Sequence, residues 1–264
     1  MSAPRLATNP VEDALRARRS AVVGFDFPIG VPSPYAAKCG IASFLELLPQ
    51  LGWKEWRDFF TPADAPDEIT LHRPFYPRTA KKGSAHQHLV DGLGVASMNE
   101  LRRLCELGRH GRGPAEVLFW TLGPKQVGKA AIAGWREILI PARREIRLWP
   151  FEGSLEELVT GRGVVVCETY PAEFYGHFGI GAAKAAADAR VVAAPSVTAA
   201  CADLGIEVDQ RLAVEIGRGF ASEDAYDAFV GLIGMINVIL GNRPAAPGLD
   251  PGLLQVEGWI LGQE

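Results

Sequence analysis

The chain has 264 residues, of which 48% are hydrophobic and 22% are charged, a composition typical of a globular protein with a substantial core. Its net charge of -4 excludes a protein that is basic throughout, so a polyanion partner would require a local basic patch. No apolar run reaches the length of a membrane span, and no signal-peptide pattern is present.

The four cysteines are far apart and form no CxxC pair, which indicates neither a zinc site nor a disulfide framework. We therefore expect reduced thiols and a cytoplasmic location.

The first elements in the chain are a helix and a strand. Asn9 and Pro10 are typical of a helix start, and they predict a helix over 9–19. The apolar run Ala21 to Phe27 predicts a buried strand, with Asp26 at its carboxyl end. Residues 36–115 are mixed in character, and we interpret them as an insertion with short helices of its own inside a single domain of residues 1–264.

The second half of the chain contains two further β-rich runs and several helical ones. Residues 116–122 read as strand-like and lead into a helix that runs to about Ile140. Residues 146–151 and 164–169 predict two strands, and the second carries Glu168. We then expect helices over 172–178, 182–204 and 222–240.

Four carboxylates form the best candidate site. Asp26 and Glu168 each follow a strand-like run, and the carboxyl ends of parallel strands meet at one edge of a sheet. Asp224 and Asp227 are three residues apart at the start of the last long helix, which places both on one face. Carboxylates that converge in this way bind Mg²⁺ or Mn²⁺, and such an ion can promote phosphodiester cleavage. Asp26 and Glu168 could equally be turn formers or caps, and Asp224 could be a solvated acid at a helix start. Asp227 lies among apolar residues, where burial without a partner would be costly, so it is the stronger candidate.

Three segments together resemble a known family. GFDFPIGVP at 24–32, CETYPAEFY at 167–175 and SEDAYDAFVGL at 222–232 are similar to a predicted ribonuclease H-like nuclease family, domain of unknown function 429. The last two segments also resemble the closing half of Holliday-junction resolvases. The resemblance implies an α/β fold with a ribonuclease H-like sheet flanked by helices, and a divalent metal held by Asp26, Glu168 and Asp227, with Asp224 as a ligand or base.

The resemblance also implies one departure from the family pattern. Ribonuclease H-like domains normally begin with a strand meander that carries the leading catalytic Asp, whereas this sequence opens with the helix at Asn9. Either Met1 is internal to a longer natural protein, or the chain has lost the meander and its acid. The second case leaves a non-catalytic binding module as an alternative. An unpaired sheet edge would then favour a homodimer.

Several basic residues are candidates for substrate binding. The stretch with Arg73, Arg78 and Lys82 could hold a nucleic-acid backbone, or it could be a solvated loop. Lys184 follows the Tyr-Pro turn at the position where resolvase-like proteins often have a Lys. Lys125 and Lys129 lie in GPKQVGKA, which is close to a phosphate-binding loop but ends in Ala130, so an ATP-handling enzyme is a weaker alternative.

Overall fold

A computed structural model describes residues 9–78, 85–108, 113–123, 126–181 and 185–264, and it shows a mixed α/β chain. Three short strands, β1 (Ala21–Phe25), β2 (Ile146–Leu148) and β3 (Val164–Glu168), form a small parallel sheet in the order β1-β3-β2. No helix among the described residues is both long and apolar enough to cross a membrane.

The described part of the chain contains twelve α-helices. In chain order they are α1 (Pro10–Arg16), α2 (Ser33–Cys39), α3 (Phe44–Leu47), α4 (Gln87–Leu93), α5 (Val127–Gly134), α6 (Ile140–Ala142), α7 (Leu155–Thr160), α8 (Pro171–His177), α9 (Ala187–Asp203), α10 (Gln210–Gly217), α11 (Glu223–Ile239) and α12 (Pro251–Glu257). A π-helix, Trp135–Leu139, joins α5 to α6. Short 3-10 helices cover Leu48–Gln50, Lys54–Trp56, Pro66–Glu68, Met98–Leu101 and Leu104–Glu106.

The chain divides into two compact units. The first contains the described residues of 1–23, 27–167 and 248–259, and the second contains those of 24–26, 168–247 and 260–264. The predicted insertion at 36–115 lies within the first unit, and the short helices expected in it are present.

An aromatic cluster forms the core of the first unit. The ring of Trp135 is fully buried, lies 5.0 Å from the Phe44 ring and stacks on Phe59 at 6.0 Å. Its indole N–H donates to the Pro28 carbonyl oxygen at 2.6 Å, so the one polar atom of this side chain is satisfied inside the core.

A buried charge network joins distant segments of the same unit. The Arg103 guanidinium is fully buried and donates to Glu106 Oε1 at 2.8 and 3.0 Å. It also donates to the carbonyl oxygens of Ile29 and Glu257, both at 3.1 Å. The Glu257 carboxylate accepts from the backbone N–H of Ser33 at 2.8 Å. These buried charges are tolerated because Arg103 is paired with Glu106, and the Glu257 carboxylate accepts hydrogen bonds from backbone N–H groups.

Most predicted helices and strands are confirmed with shorter bounds. Asn9 caps α1 by accepting from the Val11 N–H, and Ser222 caps α11 by accepting from the Ala225 N–H. Helix α9 begins at Ala187, and residues 182–184 of that prediction lie outside the described part. Helices α10 and α12 were not predicted, although Asp209 and Asp250 cap them.

The predicted strand at 116–122 is wrong. Val117 to Leu122 is buried but adopts turns and irregular backbone, and its polar groups find scattered partners. The Phe119 carbonyl accepts from Tyr76 N–H at 2.9 Å, and the Trp120 carbonyl accepts from Gly128 N–H at 2.8 Å. The apolar side chains of this segment are buried, but its backbone does not pair with a strand. The segment before GPKQVGKA is therefore not the strand that a phosphate-binding loop requires.

We expect Arg103→Met to lower the free energy of unfolding by roughly 3–5 kcal/mol, because it leaves the Glu106 carboxylate buried without its cation. Urea unfolding followed by tryptophan fluorescence measures this loss. The exposed pair of Arg57 with Asp58, at 3.2 Å, supplies the control, and Arg57→Met should change stability by less than about 1 kcal/mol. Equal losses in the two variants would contradict a special role for the buried network.

Candidate functional site

The second unit brings together the ends of two strands and the start of α11. The Thr169 N–H donates to the Phe25 carbonyl at 2.9 Å, so the residues that follow β1 and β3 are neighbours. The Leu261 N–H donates to the Glu168 carbonyl at 2.9 Å on the remaining side. Backbone hydrogen bonds therefore hold Glu168 and the residue before Asp26.

Two close approaches by glycine fix α11 against its neighbours. A Cβ on Gly24 would lie 2.4 Å from the Met235 sulfur, and a Cβ on Gly234 would lie 2.2 Å from the Phe174 ring. Both distances are shorter than packed atoms allow, so any larger residue would push the elements apart. Glycine thus lets α11 sit close to the end of β1 and to α8.

Asp227 is the central residue of the site. It is half-buried on α11, and burial together with the nearby Asp26 charge raises its pKa from 3.8 to about 6. The Tyr175 hydroxyl, on α8, donates a hydrogen bond to Asp227 Oδ1. We call Asp26 and Asp227 the carboxylate pair, because the charge of the first raises the pKa of the second, and Tyr175 orients the Asp227 carboxyl.

The other predicted acids are placed differently. The Glu168 residue is buried, with only 4% of its surface exposed, whereas Asp224 is exposed in the first turn of α11. In the described ranges, no group of three or more His, Cys, Asp or Glu side chains is arranged to hold a metal ion. The charge of Asp26 thus acts on Asp227, and the described residues do not assemble a complete set of metal ligands.

No protein-family model, curated protein or solved structure matches the chain. The function must therefore be argued from the residues themselves.

Three of the predicted basic residues, Arg73, Arg78 and Lys129, lie in the described part of the chain. The Arg73 guanidinium donates to Glu68 at 2.8 Å, to Asp64 at 2.9 Å and to the Pro62 carbonyl at 2.8 Å, so its donors are used within the fold. Arg78 is exposed, and Lys129 is half-exposed on α5. Lys82, Lys125 and Lys184 lie outside the described residues.

The sequence interpretation missed Tyr175 as a site residue. It lies in the CETYPAEFY segment, but a tyrosine in an apolar helix is usually read as core. Its position one turn after Pro171 puts it on the buried face of α8, and that placement was the available signal. Nearby, the Tyr226 hydroxyl is buried and finds no hydrogen-bond partner among the described residues.

We predict that the Asp227 carboxyl titrates near pH 6 in carbon-13 NMR spectra of the native chain. The Asp26→Asn variant should lower this pKa, because it removes one of the two causes of the shift. The pKa should remain above 3.8, because burial of Asp227 persists. An unchanged pKa in Asp26→Asn would show that the two carboxylates do not interact.

The raised pKa also predicts how stability depends on pH. Because the folded chain holds the Asp227 proton more tightly than the unfolded chain, this group's stabilising contribution is complete below about pH 3.8 and is lost as the pH rises through about 6. At neutral pH, Asp227→Asn should therefore be more stable than the parent by roughly 1–2 kcal/mol, after solvent screening is allowed for. Thermal unfolding at acid and neutral pH measures both effects. A variant destabilised at neutral pH would contradict the assignment.

Proposed function

We propose that the chain is a divalent-metal-dependent phosphodiester hydrolase of the ribonuclease H-like class that acts on nucleic acid. The observation that carries the proposal is the carboxylate pair at a strand end and a helix start, where burial and the charge of Asp26 together raise the pKa of Asp227. Natural proteins seldom place like charges together at a cost in stability unless a cation or a reaction uses them.

A pair of carboxylates is compatible with Mg²⁺ or Mn²⁺ chemistry. Magnesium keeps several waters and is commonly held by one or two carboxylates plus substrate phosphates, so the pair needs no full cage of protein ligands. Carboxylate oxygens are also the hard donors that both ions prefer. When bound, the ion would polarise the scissile phosphate and lower the pKa of an attacking water.

Each residue has a distinct role in this proposal. Asp26 and Asp227 would hold the ion, and Tyr175 keeps the Asp227 carboxylate in one orientation. Glu168 is the third ligand that the family resemblance implies. Asp224, exposed one turn before Asp227, is free of burial and could accept a proton from water as a general base.

A second candidate is a non-catalytic module of the same class that binds a nucleotide, nucleic acid or protein. It is favoured by one observation: the described residues bring two carboxylates together but no group of three. Metal binding without hydrolysis would select this candidate. The ATP-handling enzyme remains a prediction from the sequence. It is weakened because residues 116–122, which precede the phosphate-loop-like segment, do not form a strand.

Calorimetric titration of Mn²⁺ tests the first step of the proposal. The parent chain should show saturable binding, and both Asp26→Asn and Asp227→Asn should abolish it, because each removes a carboxylate from the pair. Asp188→Asn is the matched control, since Asp188 is an exposed acid in the first turn of α9 in the same unit. Loss of binding in the control, or retention in both site variants, would refute the site.

Cleavage assays with single-stranded DNA, duplex DNA and RNA test the second step. With Mn²⁺ present, the parent should cleave at least one of these substrates, and Asp227→Asn should reduce the rate by about 100-fold or more. A chain that binds Mn²⁺ and cleaves none of them is the non-catalytic module.

A further inference from the structure

The amino ends of the three strands carry a set of exposed arginines that the proposed function does not use. The residues just before or within the start of each strand include five of them, Arg18, Arg19, Arg144, Arg147 and Arg162. We name this set the arginine edge. All five belong to the first unit, and none of the carboxylates discussed above is part of it.

Strand pairing brings three of these arginines into a row. Ile146 of β2 is the register partner of Val164 of β3, so Arg144 and Arg162 each lie two residues before a paired position. On the other side of β3, the Ala21 N–H donates to the Gly163 carbonyl at 3.1 Å. Arg19, two residues before Ala21, therefore lies beside the segment that carries Arg162. Neighbouring strands are about 4.8 Å apart, so the row spans roughly 10 Å.

Side-chain direction adds Arg147 to the same surface. Within β2, Ile146 and Leu148 are buried while Arg147 is exposed, as alternation along a strand requires. Its Nη2 atom lies 4.0 Å from the position that a Cβ on Gly161 would occupy. The guanidinium thus reaches the turn before β3, next to Arg162.

The arginine edge is not neutralised by the protein. Neighbouring Arg16 pairs with Glu12 at 3.1 Å and Arg143 pairs with Glu152 at 3.3 Å. Among the described residues, by contrast, no guanidinium of the five has an ion pair or a hydrogen bond. Asp13 and Glu145 are exposed acids in the same segments, which leaves an excess of positive charge on a chain whose net charge is -4.

We propose that the arginine edge binds the phosphate backbone of a nucleic acid. Unpaired cations held in a row repel one another, and a chain of phosphates would relieve that repulsion. All five residues are arginine and none is lysine, which favours phosphate, since a planar guanidinium can donate two parallel hydrogen bonds to phosphate oxygens. Contacts of this kind position a nucleic acid without reading its sequence.

This inference extends the proposed function by naming a surface that holds the substrate, and it rests on that function only for the choice of nucleic acid. Binding at the arginine edge requires neither a metal ion nor the carboxylate pair. It can therefore be measured in the presence of EDTA and with the Asp227→Asn variant. A failure of binding is then distinct from a failure of catalysis.

Fluorescence anisotropy with labelled oligonucleotides of about 20 nucleotides, single-stranded and duplex, tests the inference between ~50 and ~200 mM salt. The parent should bind at low salt and lose affinity as salt rises. The triple variant Arg19→Gln, Arg144→Gln, Arg162→Gln should bind at least about tenfold more weakly at low salt. The slope of its log binding constant against log salt concentration should also be shallower, by the amount expected for about three fewer phosphate contacts, because fewer counterions are released.

Two further variants separate surface chemistry from charge and folding. The control for net charge is the triple Arg57→Gln, Arg136→Gln, Arg211→Gln, which makes the same change at exposed sites elsewhere and should bind as the parent does.

The control for guanidinium chemistry is the triple change of Arg19, Arg144 and Arg162 to Lys. It should keep the salt dependence of binding, because the charge is unchanged, while losing part of the affinity. Equal weakening in both Gln triples, or no binding by the parent, would overturn the inference. Competition by polyglutamate as effective as that by oligonucleotide would assign the surface to an acidic protein instead.

Discussion

Parallel pairing of three short strands is the constraint on which the candidate site and the arginine edge both depend. Because β1, β3 and β2 run in the same direction, the residues that follow β1 and β3 become neighbours, and so do the residues that precede all three strands. The first group contains Asp26 and Glu168, and the second contains the arginine edge. Backbone hydrogen bonds thus group side chains that are more than 100 positions apart in the sequence.

Close packing then determines what the carboxylate pair can do. Gly24 and Gly234 let α11 approach its neighbours closely, and this approach partly buries Asp227 near the Asp26 charge. The same fold buries Arg103 with Glu106 and Glu257, but there each charge meets an opposite charge or a backbone partner. The pair of Asp26 and Asp227 is like-charged, so the energetic cost of bringing it together calls for a cation or a shared proton.

Local signals in the sequence predicted much of the fold. The caps at Asn9 and Ser222 and the apolar runs of β1 and β3 were sufficient to locate α1, α11 and two strands, because each depends on neighbouring residues alone. The segment at 116–122 was misread because a buried turn and a buried strand share the same apolar composition. The division into two compact units and the clustering of the aromatic core depend on distant contacts that no local pattern encodes.

The candidate site was predicted only in part. The strand-end positions of Asp26 and Glu168 and the helix start at Asp227 followed from the sequence, whereas the hydrogen bond from Tyr175 and the exposure of Asp224 required the packed helices. The arginines of the arginine edge are scattered along the sequence in groups of one or two. Strand register brings them close together in the fold, whereas the sequence alone shows only the denser basic stretch around Arg73.

Anomalous diffraction from crystals soaked in Mn²⁺ shows directly whether Asp26 and Asp227 share one divalent ion. We expect a single strong peak at about 2.0–2.3 Å from a carboxylate oxygen of each residue. The peak should vanish in crystals of Asp227→Asn. A peak that lies elsewhere, or carboxylates that remain without an ion at saturating Mn²⁺, would contradict a shared metal site and leave the pair as a structural feature of the second unit.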